Sequence, residues 1–336
     1  MTSSPQLTAT AVRAPAQDRA RSAPSADARG GPQVTFRRRQ PTGALAAAVA
    51  PLRAIDLVAV GGRGRLEVPT GLMNLVFGFN DPFIVLPASE ADTGTDSDSP
   101  APDPARAGAR TVRLASMVSA PRSVPHVGRP GGRFSFVETA MTPMAACRVL
   151  GLPMRDLAHG MHSPGDVLGP GADELLRRMA DTADWDVRLA LLEGFLSDRF
   201  LQTEPCPPQV EYAWRRLRQY DVPTAGQLAA ELEWSVRHLR RQFDHYVGMS
   251  PHEVTMVARL QRALRLEATG ASLAEVAHGA GYHDQAHLVK SFRGLLGMTP
   301  TGYRALRIAS GGSNPLTERV PGHVTSITLP PVPGWG

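Results

Sequence analysis

The chain has 336 residues, room for one large domain or two ordinary ones, and a formal net charge of +5. The excess is local: Pro208–Ser310 carries 13 basic and 9 acidic residues against 23 and 22 elsewhere, which points to an anionic partner for that segment rather than to a fold. No apolar run reaches the ~20 residues of a membrane span, no secretory apolar core opens the chain, and Cys147 and Cys206 fit neither a disulfide framework nor a zinc spacing. A cytoplasmic protein without a metal or cofactor motif is expected.

Residues 1–32 are rich in Ala, Ser, Pro and Arg without an apolar period; they bury too little to offset ordering entropy, and a disordered arm is expected. Residues 33–201 form the first folded unit, β-rich with a helical end at 170–200. Ile55–Val60, Leu66–Val68, Leu72–Phe79, Phe83–Leu86, Val112–Met117 and Phe134–Thr139 read as strands between Gly, Pro, Asn and Asp turns, a pattern that suits a small barrel or sandwich. Ser89–Ala109, acidic and rich in Pro and Ser, reads as a solvated loop. From Gly171 to Phe200 the period turns helical, with Asp184 as a cap before Val187, Leu191 and Phe195. Residues 202–208, with three prolines, read as a linker, and 309–336 as a flexible tail.

Between linker and tail, residues 209–308 contain a repeat at an offset of 49 residues. His238-Leu239-Arg240-Arg241-Gln242-Phe243 with Gly248-Met249-Ser250-Pro251 recurs as His287-Leu288-Val289-Lys290-Ser291-Phe292 with Gly297-Met298-Thr299-Pro300. Leu239 and Phe243 share a helical face, Gly248 ends that helix in a left-handed conformation, and Pro251 opens the next. Upstream, Gln227–Leu232 makes a short helix, Glu233-Trp234 a turn, and Ser235 a cap. In the second copy Leu273, Val276 and Ala277 build the first helix, Ala280-Gly281-Tyr282 the turn, and Asp284 the cap. Helix, tight turn, helix, twice, is a helix-turn-helix duplicated.

The outward faces point to function. Arg237, Arg240 and Arg241 face away from Leu239 and Phe243, and Gln285, His287 and Lys290 do so in the second copy. Arg bonds guanine and Gln bonds adenine bidentately in the major groove, and a recognition helix presents such side chains there. Pro251–Glu267 has Val254, Val257, Leu260 and Leu264 at helical spacing, a rigid connector of about 25 Å. With the width of the two units it can set recognition helices in successive grooves, about 34 Å apart.

Residues from about Pro208 to Ile308 resemble the DNA-binding domain of AraC/XylS-type transcriptional regulators. The resemblance rests on Gly281-Tyr282-His283-Asp284-Gln285-Ala286-His287-Leu288, Phe292-Arg293 and Gly297-Met298-Thr299-Pro300. It implies two helix-turn-helix units joined by a long helix, and a sequence-specific regulator of transcription. It also implies that Arg237, His238, Arg240, Arg241, Gln285, Ala286, His287 and Lys290 approach double-stranded DNA. Glu233 departs from the glycine common in the first turn, and Ala286 is too short for hydrogen-bonded readout, though its methyl suits thymine. RNA polymerase and a second copy of the chain are further expected partners.

In that family the other domain senses a ligand, dimerises, or both, but no effector is legible here. Leu72, Leu75, Phe77, Phe79, Phe134 and Phe136 read as a filled interior, with a ligand in the mouth of a barrel as the other reading. The Val187–Leu196 face either pairs with a second subunit or packs on its own domain. The competing reading, a cupin-like metalloenzyme fused to a DNA reader, has only His126, His159 and His162 to draw on. Neither cysteine sits in an activating context, so no catalytic residue is expected.

Overall fold

The computed structural model describes residues 34–58, 63–87, 112–129, 133–157, 160–311 and 318–331. The arm expected at 1–32 and the loop at Ser89–Ala109 lie outside these residues. Ten strands and four helices precede the linker, and the strands form two sheets. In the first, β1 (Val34–Arg39), β2 (Leu52–Val58), β9 (Arg133–Met141), β4 (Met73–Gly78), β7 (Met117–Ser119) and β10 (Met161–His162) are neighbours in that order. In the second the order is β11 (Ser326–Pro331), β3 (Arg63–Glu67), β8 (His126–Arg129), β5 (Phe83–Pro87) and β6 (Val112–Leu114). Every pairing is antiparallel. The two sheets stack as an open sandwich, and among the described residues they do not close into a barrel.

Strand alternation sorts the side chains into layers. On the outer face of the first sheet, Leu52, Ala54, Met73, Leu75, Phe77 and Val137 pack against α1 (Pro143–Leu150), α2 (Pro164–Leu168), α3 (Pro170–Ala180) and α4 (Trp185–Gln202). On its inner face Ile55, Val76, Phe134 and Phe136 meet Val85 of the second sheet. The residues expected to line one interior are therefore divided: Leu75 and Phe77 face the helices, Phe134 and Phe136 face the second sheet, and Leu72 joins the packing around the linker. Side chains on different strands share a face only if the register between those strands allows it. Composition could not reveal that.

The helical end follows the same logic. Asp184 caps α4, its carboxylate accepting from the amides of Asp186 and Val187. Leu189, Leu192, Leu196 and Phe200 pack on the domain's own sheet, with Leu191 and Phe195 alongside, whereas Val187 is exposed. Residues 203–207 are held down: Arg148 donates to the carbonyls of Phe200 and Thr203, and Cys206 is buried.

Among the described residues seven further helices follow. They are α5 (Pro208–Leu217), α6 (Ala225–Glu231), α7 (Val236–Tyr246), α8 (Pro251–Ala268), α9 (Leu273–Ala280), α10 (Gln285–Leu296) and α11 (Pro300–Ala309), with β11 after them. The expectation of a flexible tail over 309–336 is corrected for residues 318–331; 312–317 and 332–336 lie outside the described residues. Residues 318–331 return to the first unit, and β11 pairs with β3, Ile327 opposite Leu66. Ile327 and Leu329 pack with Leu66, Val68 and Val127 against Leu260 and Leu264 of α8. Two apolar residues flanked by prolines gave the sequence too short an alternation to read as a strand.

Candidate nucleic-acid interface

From α6 to α11 each helix starts on a side chain that accepts from one of its free amides. Thr224 with Gln227, Ser250 with Glu253, and Ser272 with Glu275 form reciprocal capping boxes. Ser235 accepts from the His238 amide and starts α7; Asp284 accepts from the His287 amide at 2.7 Å and starts α10. That amide and the His283 side chain hold the Asp284 carboxyl below its ordinary pKa. Gly248 and Gly297 end the two second helices with φ of +69° and +73°.

The two units superimpose in plan. In the first, α6 buries Leu228 and Ala229, α7 buries Leu239 and Phe243, and the turn between them is closed by the Trp234 amide donating to Ala229 O at 2.8 Å. In the second, α9 buries Val276, Ala277 and Ala280, α10 buries Leu288 and Phe292, and the Tyr282 amide donates to Ala277 O at 2.9 Å. The turn aromatic then packs edge-on against a histidine of the second helix. Trp234 and His238 are 4.6 Å apart, Tyr282 and His287 5.2 Å. Sequence spacing alone did not reveal these contacts, because the aromatic lies outside the repeat at its 49-residue offset.

Away from these contacts the outer faces are open. Arg237, Arg240 and Arg241 are exposed on α7, and Gln285, Ala286, His287 and Lys290 on α10. His238 is half-buried beneath Trp234, and its Nδ1 accepts from Arg241 Nη2 at 3.0 Å. Every candidate residue thus lies on the second helix of its unit. The lower part of α7 is committed elsewhere: His245 meets Arg155 of the first unit at 3.0 Å, and Gly248 lies close over Met154.

The connector α8 spans 18 residues without a break and buries Val254, Val257, Leu260 and Leu264. Its Gln261 is 3% exposed and bridges three parts of the chain, donating to Pro69 O and Val324 O and accepting from the Val324 amide. Glu267, fully buried, is held by Arg304 and Arg307 of α11 at 2.6 and 3.0 Å. This ties the last helix back to the connector.

The histidines of the metalloenzyme reading do not converge. His126 lies between the sheets against Arg122, His162 donates to Leu157 O at 2.8 Å, and His159 lies outside the described residues. Among the described residues no three His, Cys, Asp or Glu side chains group as metal ligands. Burial pushes the Cys147 and Cys206 thiols up to about 11 and about 12. Among the described residues no helix is long and apolar enough to cross a membrane.

Two helix-turn-helix units on one connector define a double helix-turn-helix domain. Residues 228–306 match the family model described as "Helix-turn-helix domain". The HTH-type transcriptional regulator MtrA of Neisseria gonorrhoeae is 36% identical over 78 residues, which is 23% of this chain and 26% of that protein. The match thus spans about a quarter of the curated relative's length. Among solved structures, the C-terminal domain of AraT, a response regulator from Geobacillus stearothermophilus, is 24% identical, covering 30% of this chain and 88% of that one, with a TM-score of 0.28. ToxT from Vibrio cholerae O395 is 8% identical, covering 82% of this chain and 97% of that one, with a TM-score of 0.39.

Proposed function

We propose that the chain is a sequence-specific, DNA-binding regulator of transcription that acts in the cytoplasm and is not an enzyme. One observation carries the reading: the exposed side of the second helix carries basic or hydrogen-bonding side chains in both copies, Arg237, Arg240 and Arg241 on α7 and Gln285, His287 and Lys290 on α10. A solvated basic face would need no turn, cap and connector to aim it.

In this reading α7 and α10 enter adjacent major grooves of double-stranded DNA, and the amides at the helix starts meet phosphates. Arg237, Arg240, Arg241, Gln285 and Lys290 read bases or clamp phosphates, Ala286 offers its methyl to thymine, and His238 and His287 act from beside the turn aromatics. Residues 202–208 divide this domain from a unit that senses an effector, pairs with a second copy, or both, and RNA polymerase is the partner on the promoter. Genome-wide capture of bound DNA, followed by mobility shifts on the recovered sites, tests the reading. A site with two half-sites about one helical turn apart is expected. Absence of binding to any genomic fragment at low salt would overturn it.

A further inference from the structure

The sandwich interior holds charge that DNA reading does not use. Arg53, Glu67, Glu138, Arg122 and His126 are each at most 9% exposed. The two carboxylates are engaged: Arg53 Nη1 donates to Glu138 Oε1 at 2.7 Å, Arg65 Nε lies 3.6 Å from Glu67 Oε1, and Arg319 contacts Glu67 and lies 3.6 Å from Glu138 Oε2. In this group four guanidinium ions stand against two carboxylates. Arginine does not shed its proton, so all four carry charge.

Arg122 is where the excess is least answered. Its Nη1 donates to Ser119 Oγ at 2.6 Å, and its Nη2 lies 3.3 Å from His126 Nε2. Neither is an anion, and among the described residues no carboxylate lies within ion-pair distance of it. Burial pulls its pKa down to about 9. The histidine completes the argument. A guanidinium has no lone pair, so His126 Nε2 accepts, and the ring proton sits on Nδ1. Burial, with Arg122 and Arg65 nearby, keeps that ring neutral by holding its pKa well below the ordinary value. Yet Nδ1 is buried without a hydrogen-bond partner. What is left without a partner at this point is a donor, the His126 Nδ1–H, beside a guanidinium that no anion faces among the described residues. Burying such groups is costly unless something accepts from them.

We propose that Arg122 and His126 form the anion-holding end of an effector site between the two sheets, taking the oxyanion, carboxylate or phosphate, of a small molecule. Arg122 offers its fork, His126 its Nδ1–H, and the Ser119 hydroxyl, which accepts from Arg122, has its own proton to give. This deepens the sensing role proposed above, and it is tested without DNA, so failure of the DNA assays and failure of the site are separate results.

The test titrates the full chain, in chloride buffer, with inorganic phosphate and with succinate in separate experiments, by calorimetry and thermal unfolding. Saturable binding of one of them, millimolar or tighter, with a rise in Tm is expected, and the anion that binds names the class. Arg122→Met is expected to weaken binding at least about tenfold, and without anion to melt no lower than the parent chain, because it removes an unanswered buried charge. Ring nitrogen NMR of His126 in the unsubstituted protein gives a readout that does not depend on any variant folding; its Nδ1–H signal should move on saturation. No saturable binding by either anion, undiminished binding by Arg122→Met, or an unmoved His126 signal would each overturn the site.

Discussion

Glu233 and Gly281 hold the same place in the two helix-turn-helix turns, both in the left-handed region, at φ +57° and +84°. Each is followed by the aromatic whose amide closes the turn. They are 48 residues apart, whereas the second helices repeat at 49. His283 is the difference, an extra residue between Gly281 and its cap Asp284 that has no counterpart between Glu233 and Ser235. Glu233 is the only non-glycine with positive φ among the described residues, so the first unit builds with a strained residue what the second builds with a free one.

Replacing Glu233 by glycine should therefore stabilise the protein. The left-handed conformation costs an L-residue roughly 1–2 kcal/mol, and glycine's extra freedom in the unfolded chain returns part of that, leaving a gain of about 0.5–1 kcal/mol. Gly281→Ala should lose about 1–2 kcal/mol by the same strain, even though its Cβ would meet nothing closer than Arg259 Nε at 3.7 Å. Urea unfolding of the two variants reads both signs. Equal and small effects would mean that the turns relax.

Arg241 and Lys290 occupy matching positions, both exposed. If either reads a base, alanine there should weaken binding to the recovered site by about 1–3 kcal/mol and relax preference at one position. If it clamps a phosphate, all sequences should weaken alike and the slope of affinity against salt should fall by about one. Mobility shifts over a salt series separate the two.

The returning tail makes a stability prediction. Ending the chain at residue 317 removes Ile327 and Leu329, each worth about 1.5–3 kcal/mol of burial, and takes Arg319 away from Glu67 and Glu138. A loss of about 3–5 kcal/mol is expected, with faster proteolysis between Thr203 and Pro207 as the units loosen. Calorimetry and timed digestion check it, and an unchanged melting curve would mean that β11 adds nothing.

His323 gives that tail a pH dependence. Its Nε2 accepts from Arg218 Nη2 at 2.9 Å. Burial first, and then the charge of Arg218, lower its pKa from 6.5 to about 4. The folded state thus resists a proton that the unfolded chain takes up. This histidine's penalty is absent above pH 6.5, grows as pH falls through that value, and is complete near pH 4. Thermal unfolding between pH 7 and pH 4 should show a steeper loss in the parent chain than in His323→Asn.

The C-terminal domain was legible because its signals are local. Caps, left-handed glycines and the Leu239–Phe243 spacing each act within a few residues, and two copies checked one another. The sheets were legible only as strands. β1, half of it arginine, and β8, four residues beside glycines, carry no alternation strong enough to see. The division of Leu75 and Phe77 from Phe134 and Phe136 is a matter of register between distant strands. The pairing of Arg53 with Glu138 depends on β2 lying beside β9, which no window of sequence contains. The same holds for Arg122 and His126, whose chemistry appears only once Ser119 and the second sheet surround them.

Because β11 follows the helix-turn-helix units in the chain yet belongs to the sheet that precedes them, those helices are an insertion within the first fold rather than an appendage to it. They are anchored at both ends, by residues 203–207 and by 318–331. A body held by two tethers cannot swing as one held by a single hinge can; it rolls about the line joining them or it breaks a tether. Excision at Pro208 would leave β11 a strand without a sheet, its apolar side turned to water. That strand and Gln261 give the first unit a second mechanical link to these helices, beside the contact of His245 with Arg155.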